Sequence, residues 1–302
     1  MQRIIVVYNP NSSRFAEVKE GVLNKTRGLN GYQVGKFEIR KTNFADNVKN
    51  LSKVVKDGDM VVSAGGDATG AIVANGILDS GKDAVLAVLP YGNFNDLART
   101  LNTKKFEDIV GGKGQKRKLY PLEMKVDGKR FRYATCYVTV GMMAESVKIY
   151  DTAEVRNKLK TGFGRSVGSY TALMKWYFKN RHDKVFLPKF CLNGVEQSAD
   201  ASDYVAVNSS SMARVLKGGK DYRSKKIFRS KVDKLVSFDK IVKFMVVGMT
   251  HRVFGDETTG DVLEFEKPAT VEIQAEGEYM VLKNIRKIEI KKTEKFLRVI
   301  EQ

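Results

Sequence analysis

Residues 60–70 read Met-Val-Val-Ser-Ala-Gly-Gly-Asp-Ala-Thr-Gly and carry the strongest evidence of architecture in the chain. Their apolar, β-branched start predicts a buried strand, and residues 69–78 have helical spacing. Similar elements alternate around this stretch: strands are predicted at 3–8, 32–40, 60–63 and 84–89, and helices at 14–26, 45–55 and 69–78. Residues 1–118 are therefore predicted to form an α/β domain with a mostly parallel sheet and helices on both faces.

The pattern changes after residue 118, where strand-like runs follow one another. Residues 119–284 are predicted to form an all-β sandwich domain, with a single helix at about 167–178. Residues 285–302 alternate Ile and Val with Lys and Glu. This last segment either completes the sandwich or returns to pack on the first domain.

Two further polar loops follow predicted strands, as the glycine-rich loop at 63–70 does. Residues 9–13 read Asn-Pro-Asn-Ser-Ser, and residues 89–99 read Leu-Pro-Tyr-Gly-Asn-Phe-Asn-Asp-Leu-Ala-Arg. Ligands of open α/β sheets bind beyond the carboxyl ends of the strands, and glycines and helix starts suit a phosphate. The three loops therefore predict a nucleotide site, although neither a Walker loop nor a dinucleotide fingerprint is present. For residues 63–70 alone, an ordinary strand–helix turn with Thr69 as N-cap is the alternative.

Together the three loops resemble the diacylglycerol kinase catalytic domain of soluble bacterial lipid kinases, a fold related to that of NAD kinases. That family carries Asn-Pro-x-Ser-Gly, Gly-Gly-Asp-Gly-Thr and Pro-x-Gly-Thr-x-Asn-Asp, and the resemblance continues through residues 140–144 into the second domain. Ala68 and Asn93 depart from the pattern, since the family has Gly and Thr there. The resemblance implies an ATP- and Mg²⁺-dependent lipid kinase that transfers the γ-phosphoryl group to a lipid hydroxyl, with conversion of diacylglycerol to phosphatidic acid as the first expectation.

The same resemblance implies site residues. Asp67 and Glu278 are the expected catalytic residues, Glu278 as the general base in a Glu-Gly-Glu turn where the family has Asp-Gly-Glu. A solvated turn in an acidic patch is the alternative for Glu278. Asp239 is the expected side-chain ligand of a structural magnesium ion, with Val236 and Ile241 beside it, although Lys240 replaces a family glycine. The residues expected at the nucleotide are Asn9, Pro10, Asn11, Ser12, Ser13, Thr42, Gly65, Gly66, Asp67, Ala68, Thr69, Gly70, Ala71, Asn93, Asn95 and Asp96.

The charge balance points to a polyanionic partner. Lys and Arg number 53 against 35 Asp and Glu, a formal net charge of +18, and basic residues cluster in 113–132 and 214–243. Near an anionic membrane each Lys or Arg contributes about 1 kcal/mol. We therefore expect a cytoplasmic protein that associates peripherally with an anionic membrane and meets its lipid substrate there. A generally basic, solvated surface is the alternative, and the oligomeric state stays open, a homodimer included.

Two other functions remain as alternatives. A catalytically weakened nucleotide- or lipid-binding relative is suggested by Ala68, Asn93 and Lys240. A nucleic-acid-binding protein rests on charge alone, because the sequence has no helix-turn-helix, RNA-recognition or zinc pattern. No specific nucleic-acid partner is therefore expected. Two cysteines and two histidines do not support a disulfide framework, a zinc site or a histidine-based catalytic triad.

Overall fold

The computed structural model describes residues 2–150, 174, 178, 187–197, 201–212, 216–217, 222–233 and 256–302. The strands, in chain order, are β1 (Gln2–Tyr8), β2 (Tyr32–Glu38), β3 (Met60–Gly65), β4 (Val85–Pro90), β5 (Gln115–Leu119), β6 (Leu122–Val126), β7 (Lys129–Ala134), β8 (Tyr137–Gly141), β9 (Phe190–Leu192), β10 (Val195–Glu196), β11 (Ala201–Val207), β12 (Ser211–Met212), β13 (Leu216–Lys217), β14 (Ile227–Asp233), β15 (Asp256–Thr258), β16 (Gly260–Ala275), β17 (Glu278–Lys292) and β18 (Leu297–Glu301). The helices are α1 (Phe15–Val18), α2 (Phe44–Val54), α3 (Asp67–Ser80), α4 (Asp96–Thr100), α5 (Phe106–Val110) and α6 (Met142–Tyr150), with a π-helical turn (Lys19–Leu23) and a 3-10 turn (Lys25–Gly28) after α1.

The chain divides into two compact units, Met1–Pro121 with Thr293–Gln302, and Leu122–Lys292. The first unit contains a six-stranded sheet in the order β2-β1-β3-β4-β18-β5. Its neighbouring strands run parallel, except that β5 is antiparallel to β18. The predicted parallel-rich α/β architecture is confirmed.

Helices cover both faces of this first sheet, so strand residues of both orientations are buried. On one face Ile4, Val6 and Val62 form a core cluster with Val18 and Val22 of the first helical segment. On the other face α3 packs on β3 and β4, and α2 packs on α3. Four consecutive residues of β1 are consequently buried, which is the apolar run expected of a strand covered on both sides.

The second unit is built on a ten-stranded antiparallel sheet in the order β15-β14-β11-β8-β16-β17-β6-β7, with β9 and β10 beside β16. The early part of β16 pairs with β9, and its late part pairs with β8 after register shifts. Leu263 from the early part and Ile273 from the late part belong to one buried core. The Tyr204 hydroxyl also donates a hydrogen bond to Asp261 Oδ2 at 2.7 Å. Two halves of a sheet that enclose one core give the sandwich-type, all-β packing that was predicted.

The carboxyl-terminal segment belongs to both sheets. The predicted division at 284/285 falls inside β17, which runs on to Lys292 and pairs with β6. After a short connection, β18 runs parallel to β4 in the first sheet. Alternating Ile and Val side chains suit either sheet, so periodicity alone could not place the change of unit at residues 292/293.

Helix α6 follows β8 directly and was missed from the sequence, where the only helix predicted in this domain was at about 167–178. That predicted helix lies outside the described residues except for Met174 and Phe178, which are helical. Across the part of the chain described here, no helix is long and apolar enough to span a bilayer.

Candidate functional site

Four connections leave the carboxyl ends of neighbouring parallel strands in the first unit. They are residues 9–14 after β1, 39–43 after β2, 65–67 after β3 and 90–96 after β4, and we call them the loop edge. Because β2, β1, β3 and β4 are adjacent and parallel, these four connections lie at one edge of the sheet. The loops that were singled out from the sequence are thus brought together.

The connections after β3 and β4 touch through their glycines. A Cβ atom on Gly92 would lie 2.4 Å from Gly66 Cα, so neither loop has room for a side chain there. The Asp67 carboxylate crosses the same junction, accepting the amide of Asn95 at 2.9 Å and that of Asp96 at 2.7 Å. Asp67 therefore braces one loop against the other, and its contact with a metal or a phosphate stays a prediction.

Asn95 keeps the second loop in shape. Its backbone is left-handed, with φ of 55°, a conformation that asparagine tolerates better than most side chains. Its side chain accepts a hydrogen bond from Gly92 N at 2.6 Å and donates one to Gly92 O at 2.7 Å. The adjacent Asp96 is fully buried and paired with Arg99. Asn95 and Asp96 thus shape the loop from inside.

Helix α3 begins at Asp67, and Gly66 is its N-cap without any side-chain cap. Ala68 lies in the first turn, is exposed, and is not among the residues with positive φ. Alanine in place of the family glycine therefore introduces no backbone strain. A helix start of this kind presents amide groups and the positive end of the helix dipole to an anion.

The alternative of Thr69 as the N-cap is wrong, since Thr69 is already inside α3. Its side chain is buried over Gly65, where a Cβ would lie 2.4 Å from Thr69 Oγ1. Gly70 and Ala71 are buried in the same helix. These three residues support the loop edge from within the first unit.

Arg14, which was not predicted as a site residue, links the first loop to the last. Its Nη1 donates to Pro90 O at 3.0 Å and to Gly92 O at 3.1 Å. The hydrogen bond to Glu17 outweighs desolvation and raises the pKa of the guanidinium. The sequence signal that could have identified Arg14 is its position directly after the polar loop at 9–13. Its guanidinium places a positive charge at the loop edge.

The outer residues of the loop edge differ in how firmly they are held. Asn9 Oδ1 accepts the amide of Asn11 at 2.9 Å, which orders the 9–13 loop. Thr42 is exposed, and its hydroxyl accepts a hydrogen bond from Asn47 at 3.1 Å. Asn93 is half-buried and makes no hydrogen bond to any residue that the structure describes.

In the second unit Glu278 follows a two-residue hairpin turn between β16 and β17. Glu276 and Gly277 have φ of 53° and 83°, and Ala275 pairs with Glu278. Positive φ at both central residues is typical of a type I′ turn, whose twist matches that of the flanking strands. The turn fixes the point at which the Glu278 side chain leaves the sheet.

Glu276, the other acidic residue of the turn, is buried. Its Oε1 accepts hydrogen bonds from the Thr135 amide, the Thr135 hydroxyl and the Cys136 amide, the last at 2.7 Å. Burial raises the pKa of this carboxyl, because desolvation outweighs these hydrogen bonds and the nearby charge of Arg132. Glu276 therefore anchors the turn to the connection between β7 and β8.

Glu278 is held by an arginine that sequence reasoning missed. Arg132 Nη2 donates to Glu278 Oε2 at 2.7 Å; the Arg132 side chain is 4% exposed and that of Glu278 is 32% exposed. Glu278 is thus ion-paired while about a third of its side chain stays exposed, and its role as a base stays a prediction. The two residues are 146 positions apart in the chain, so no local pattern could have revealed the pair.

The expected magnesium residues Asp239, Val236 and Ile241 lie outside the described residues. Within the described ranges, no group of three or more His, Cys, Asp or Glu side chains is placed to hold a metal ion.

Comparison with known proteins supports the resemblance drawn from the loops. Residues 3–118 match the family model described as the diacylglycerol kinase catalytic domain. A diacylglycerol kinase of Bacillus subtilis is 32% identical over 114 residues, which are 36% of each chain. One from Staphylococcus carnosus is 30% identical over 103 residues, 33% of each chain. A crystal structure titled as a diacylglycerol kinase from Bacillus anthracis matches with a TM-score of 0.67 at 15% identity, covering 100% of this chain and 97% of that one.

The chain therefore has the two-unit fold of the diacylglycerol kinase structures. Residues 3–118, which match the family model, contain the whole loop edge. The matched segments span about a third of the curated relatives. Glu278 and Arg132 lie beyond the matched residues.

Proposed function

We propose that the protein is an ATP- and Mg²⁺-dependent lipid kinase that phosphorylates a lipid hydroxyl, with diacylglycerol as substrate and phosphatidic acid as product. The observation that carries the proposal is the loop edge, four strand-end connections at the start of α3, of which those after β3 and β4 are braced by Asp67. The family of residues 3–118 and the names of the relatives support it.

The loop edge fits a triphosphate. Gly66 and Gly92 leave the backbone uncovered, the start of α3 lacks a side-chain cap, and Arg14 brings a positive charge. These features suit anion binding. Asn9, Ser12, Thr42 and Asn93 are the polar side chains around it. When bound, ATP supplies the phosphoryl group and Mg²⁺ neutralises its developing charge.

Glu278 would take the proton of the lipid hydroxyl as its oxygen attacks phosphorus. A carboxylate acts as a general base when it is positioned and ionised. The hydrogen bond from Arg132 meets the first need, because it fixes one oxygen of the Glu278 carboxylate. Asp239 as the ligand of a structural magnesium ion, with Val236 and Ile241, stays part of the proposal.

The substrate places the reaction at a membrane surface. Lys116, Arg117 and Lys118 are exposed on β5, an edge strand of the first sheet. Exposed basic groups attract anionic lipid, so we place the protein in the cytoplasm, peripherally bound to an anionic leaflet.

Purified protein with γ-labelled ATP, Mg²⁺ and vesicles of diacylglycerol with phosphatidylglycerol tests the proposal. We expect labelled phosphatidic acid, with a loss of roughly 10²- to 10⁴-fold in Glu278→Gln, because glutamine cannot accept the proton. Glu276→Gln is the matched control and should lose far less, since its amide oxygen can accept the same donors.

A weakened, ligand-binding relative is the second candidate, favoured by the use of both Asp67 oxygens within the protein. A wild type that phosphorylates no lipid, while millimolar ATP raises its melting temperature and Asp67→Ala removes that rise, would establish this candidate. Absence of both activity and thermal shift would contradict both proposals.

A further inference from the structure

We propose that Arg132 is a positioning residue that acts through Glu278 and holds its carboxylate in the orientation needed for proton abstraction. The role rests on the proposed function. Arg132 lies on β7 and its side chain is only 4% exposed, yet it carries a permanent charge. Burying a guanidinium is costly unless it is paired and hydrogen-bonded. Glu278 provides that pairing at 2.7 Å.

The geometry leaves one carboxylate oxygen for chemistry. Arg132 Nη2 donates to Glu278 Oε2, and no residue in the described part of the chain donates to Oε1. The Arg132 Nη1 group donates to Met280 Sδ at 3.4 Å, two residues further along β17 than Glu278. Arg132 is thus packed against the strand that carries Glu278, and its guanidinium holds the glutamate through one carboxylate oxygen.

The neighbouring Glu276 strengthens this assignment. It accepts hydrogen bonds from Thr135 and Cys136, and the charge of Arg132 also acts on it. Arg132 thus hydrogen-bonds Glu278, while Glu276 fixes the turn that carries it. Misplacing a reacting group by about 1 Å costs up to 10²-fold in rate, so loss of the arginine should slow the reaction without preventing ligand binding.

Arg130 offers a matched control on the same strand. It is exposed, stacks on the Tyr133 ring with 5.1 Å between guanidinium carbon and ring centroid, and donates to the Tyr133 hydroxyl at 2.9 Å. Arg130→Met removes the same charge two residues away. It should change neither kcat nor the effect of a second substitution at Glu278.

The test is a double-mutant cycle in the lipid kinase assay with Arg132→Met, Glu278→Gln and the double variant. We expect Arg132→Met to lower kcat by about tenfold to hundredfold, with the KM for ATP within about twofold. In the Glu278→Gln background it should cause no further loss, because an interaction that acts through Glu278 is already gone. Arg132→Lys should recover part of kcat, and it replaces Arg132→Met if the latter fails to fold.

An equal loss of kcat in both backgrounds would overturn the role, because it would show that Arg132 acts independently of Glu278. So would an unchanged kcat in a folded Arg132→Met variant. A wild type that phosphorylates no lipid overturns the proposed function and this role together. An active wild type that depends on Glu278 but not on Arg132 overturns this role alone.

Discussion

Glu276 shows how a single buried side chain supports a residue beside it. The turn itself needs only positive φ at two positions, which are Glu276 and Gly277. Glu276 adds three hydrogen bonds through one oxygen to the connection after β7. On the other side of that connection, the Asn208 side-chain amide donates a hydrogen bond to Thr135 O at 2.9 Å. The base of the Glu278 hairpin is thereby rigid.

The first prediction concerns the pH dependence of this carboxyl. Burial raises the pKa of Glu276 in the folded protein above its ordinary value of 4.5, so the folded state keeps the proton to higher pH than the unfolded chain. Stability must then fall as pH rises through that interval. Glu276→Gln stays neutral and keeps an oxygen for the same donors, so it escapes this loss.

Thermal unfolding from about pH 4 to about pH 8 checks this prediction. The melting temperature of Glu276→Gln relative to wild type should increase with pH and then level off. A difference that stays constant, or that shrinks as pH rises, would contradict a raised pKa for Glu276.

At the scale of elements, the junction of the β3 and β4 loops is the most constrained point of the loop edge. Gly66 and Gly92 touch backbone to backbone, and Asp67 and Arg14 tie the surrounding loops together. Both glycines lie where close approach, rather than a left-handed backbone, excludes a side chain. The packing of two loops thus determines the shape of the proposed phosphate site.

The second prediction follows from that close approach. Gly92→Ala should destabilise the protein by about 1 to 3 kcal/mol, because the added methyl forces the two loops apart. It should also reduce the thermal shift produced by ATP, since the backbone proposed to bind the phosphates is displaced. Gly28→Ala is the matched control, because a Cβ there meets nothing within 4 Å.

Differential scanning fluorimetry with and without ATP and Mg²⁺ measures both effects. Equal melting temperatures and equal ATP shifts for the two alanine variants would show that the loops move apart freely.

At the scale of the whole molecule, the net charge of +18 is the dominant property. Its distribution matters as much as its size. Lys113, Lys116 and Lys118 lie together around the exposed edge strand β5, whereas Lys49, Lys53 and Lys56 are equally exposed on and after α2. If the β5 lysines form a membrane-docking face, replacing them should affect vesicle binding more than replacing the α2 lysines. If the charge acts diffusely, both replacements should have the same effect.

The third prediction is that binding to phosphatidylglycerol vesicles depends on the three lysines at β5. Reversing Lys113, Lys116 and Lys118 to Glu should weaken vesicle binding far more than the same change at Lys49, Lys53 and Lys56, and salt should weaken wild-type binding. Co-sedimentation with anionic and neutral vesicles measures it. Equal losses in the two triple variants would indicate diffuse charge, and tighter, salt-sensitive binding to DNA would favour a nucleic-acid partner.

The sequence by itself determined the architecture of both units and the position of the loop edge. Strands and helices follow from the local spacing of apolar residues, and parallel strands bring their carboxyl ends to one edge. The motifs at 9–13, 63–70 and 89–99 therefore predicted both the α/β class and the family model that residues 3–118 match. Their information is local, so a single sequence contains it.

Tertiary structure decided which side chains meet. Arg132 hydrogen-bonds Glu278, and Arg14 hydrogen-bonds the carbonyl groups of Pro90 and Gly92. Tertiary structure also decided that β18 pairs with β4 in the first sheet. Each partner lies tens to hundreds of residues away, and a charged or β-branched residue carries no mark of the partner it will contact. Tertiary structure also decided that Glu276 is buried and that its pKa is raised. Desolvation depends on the atoms that surround a side chain, which the neighbouring residues in the sequence do not specify.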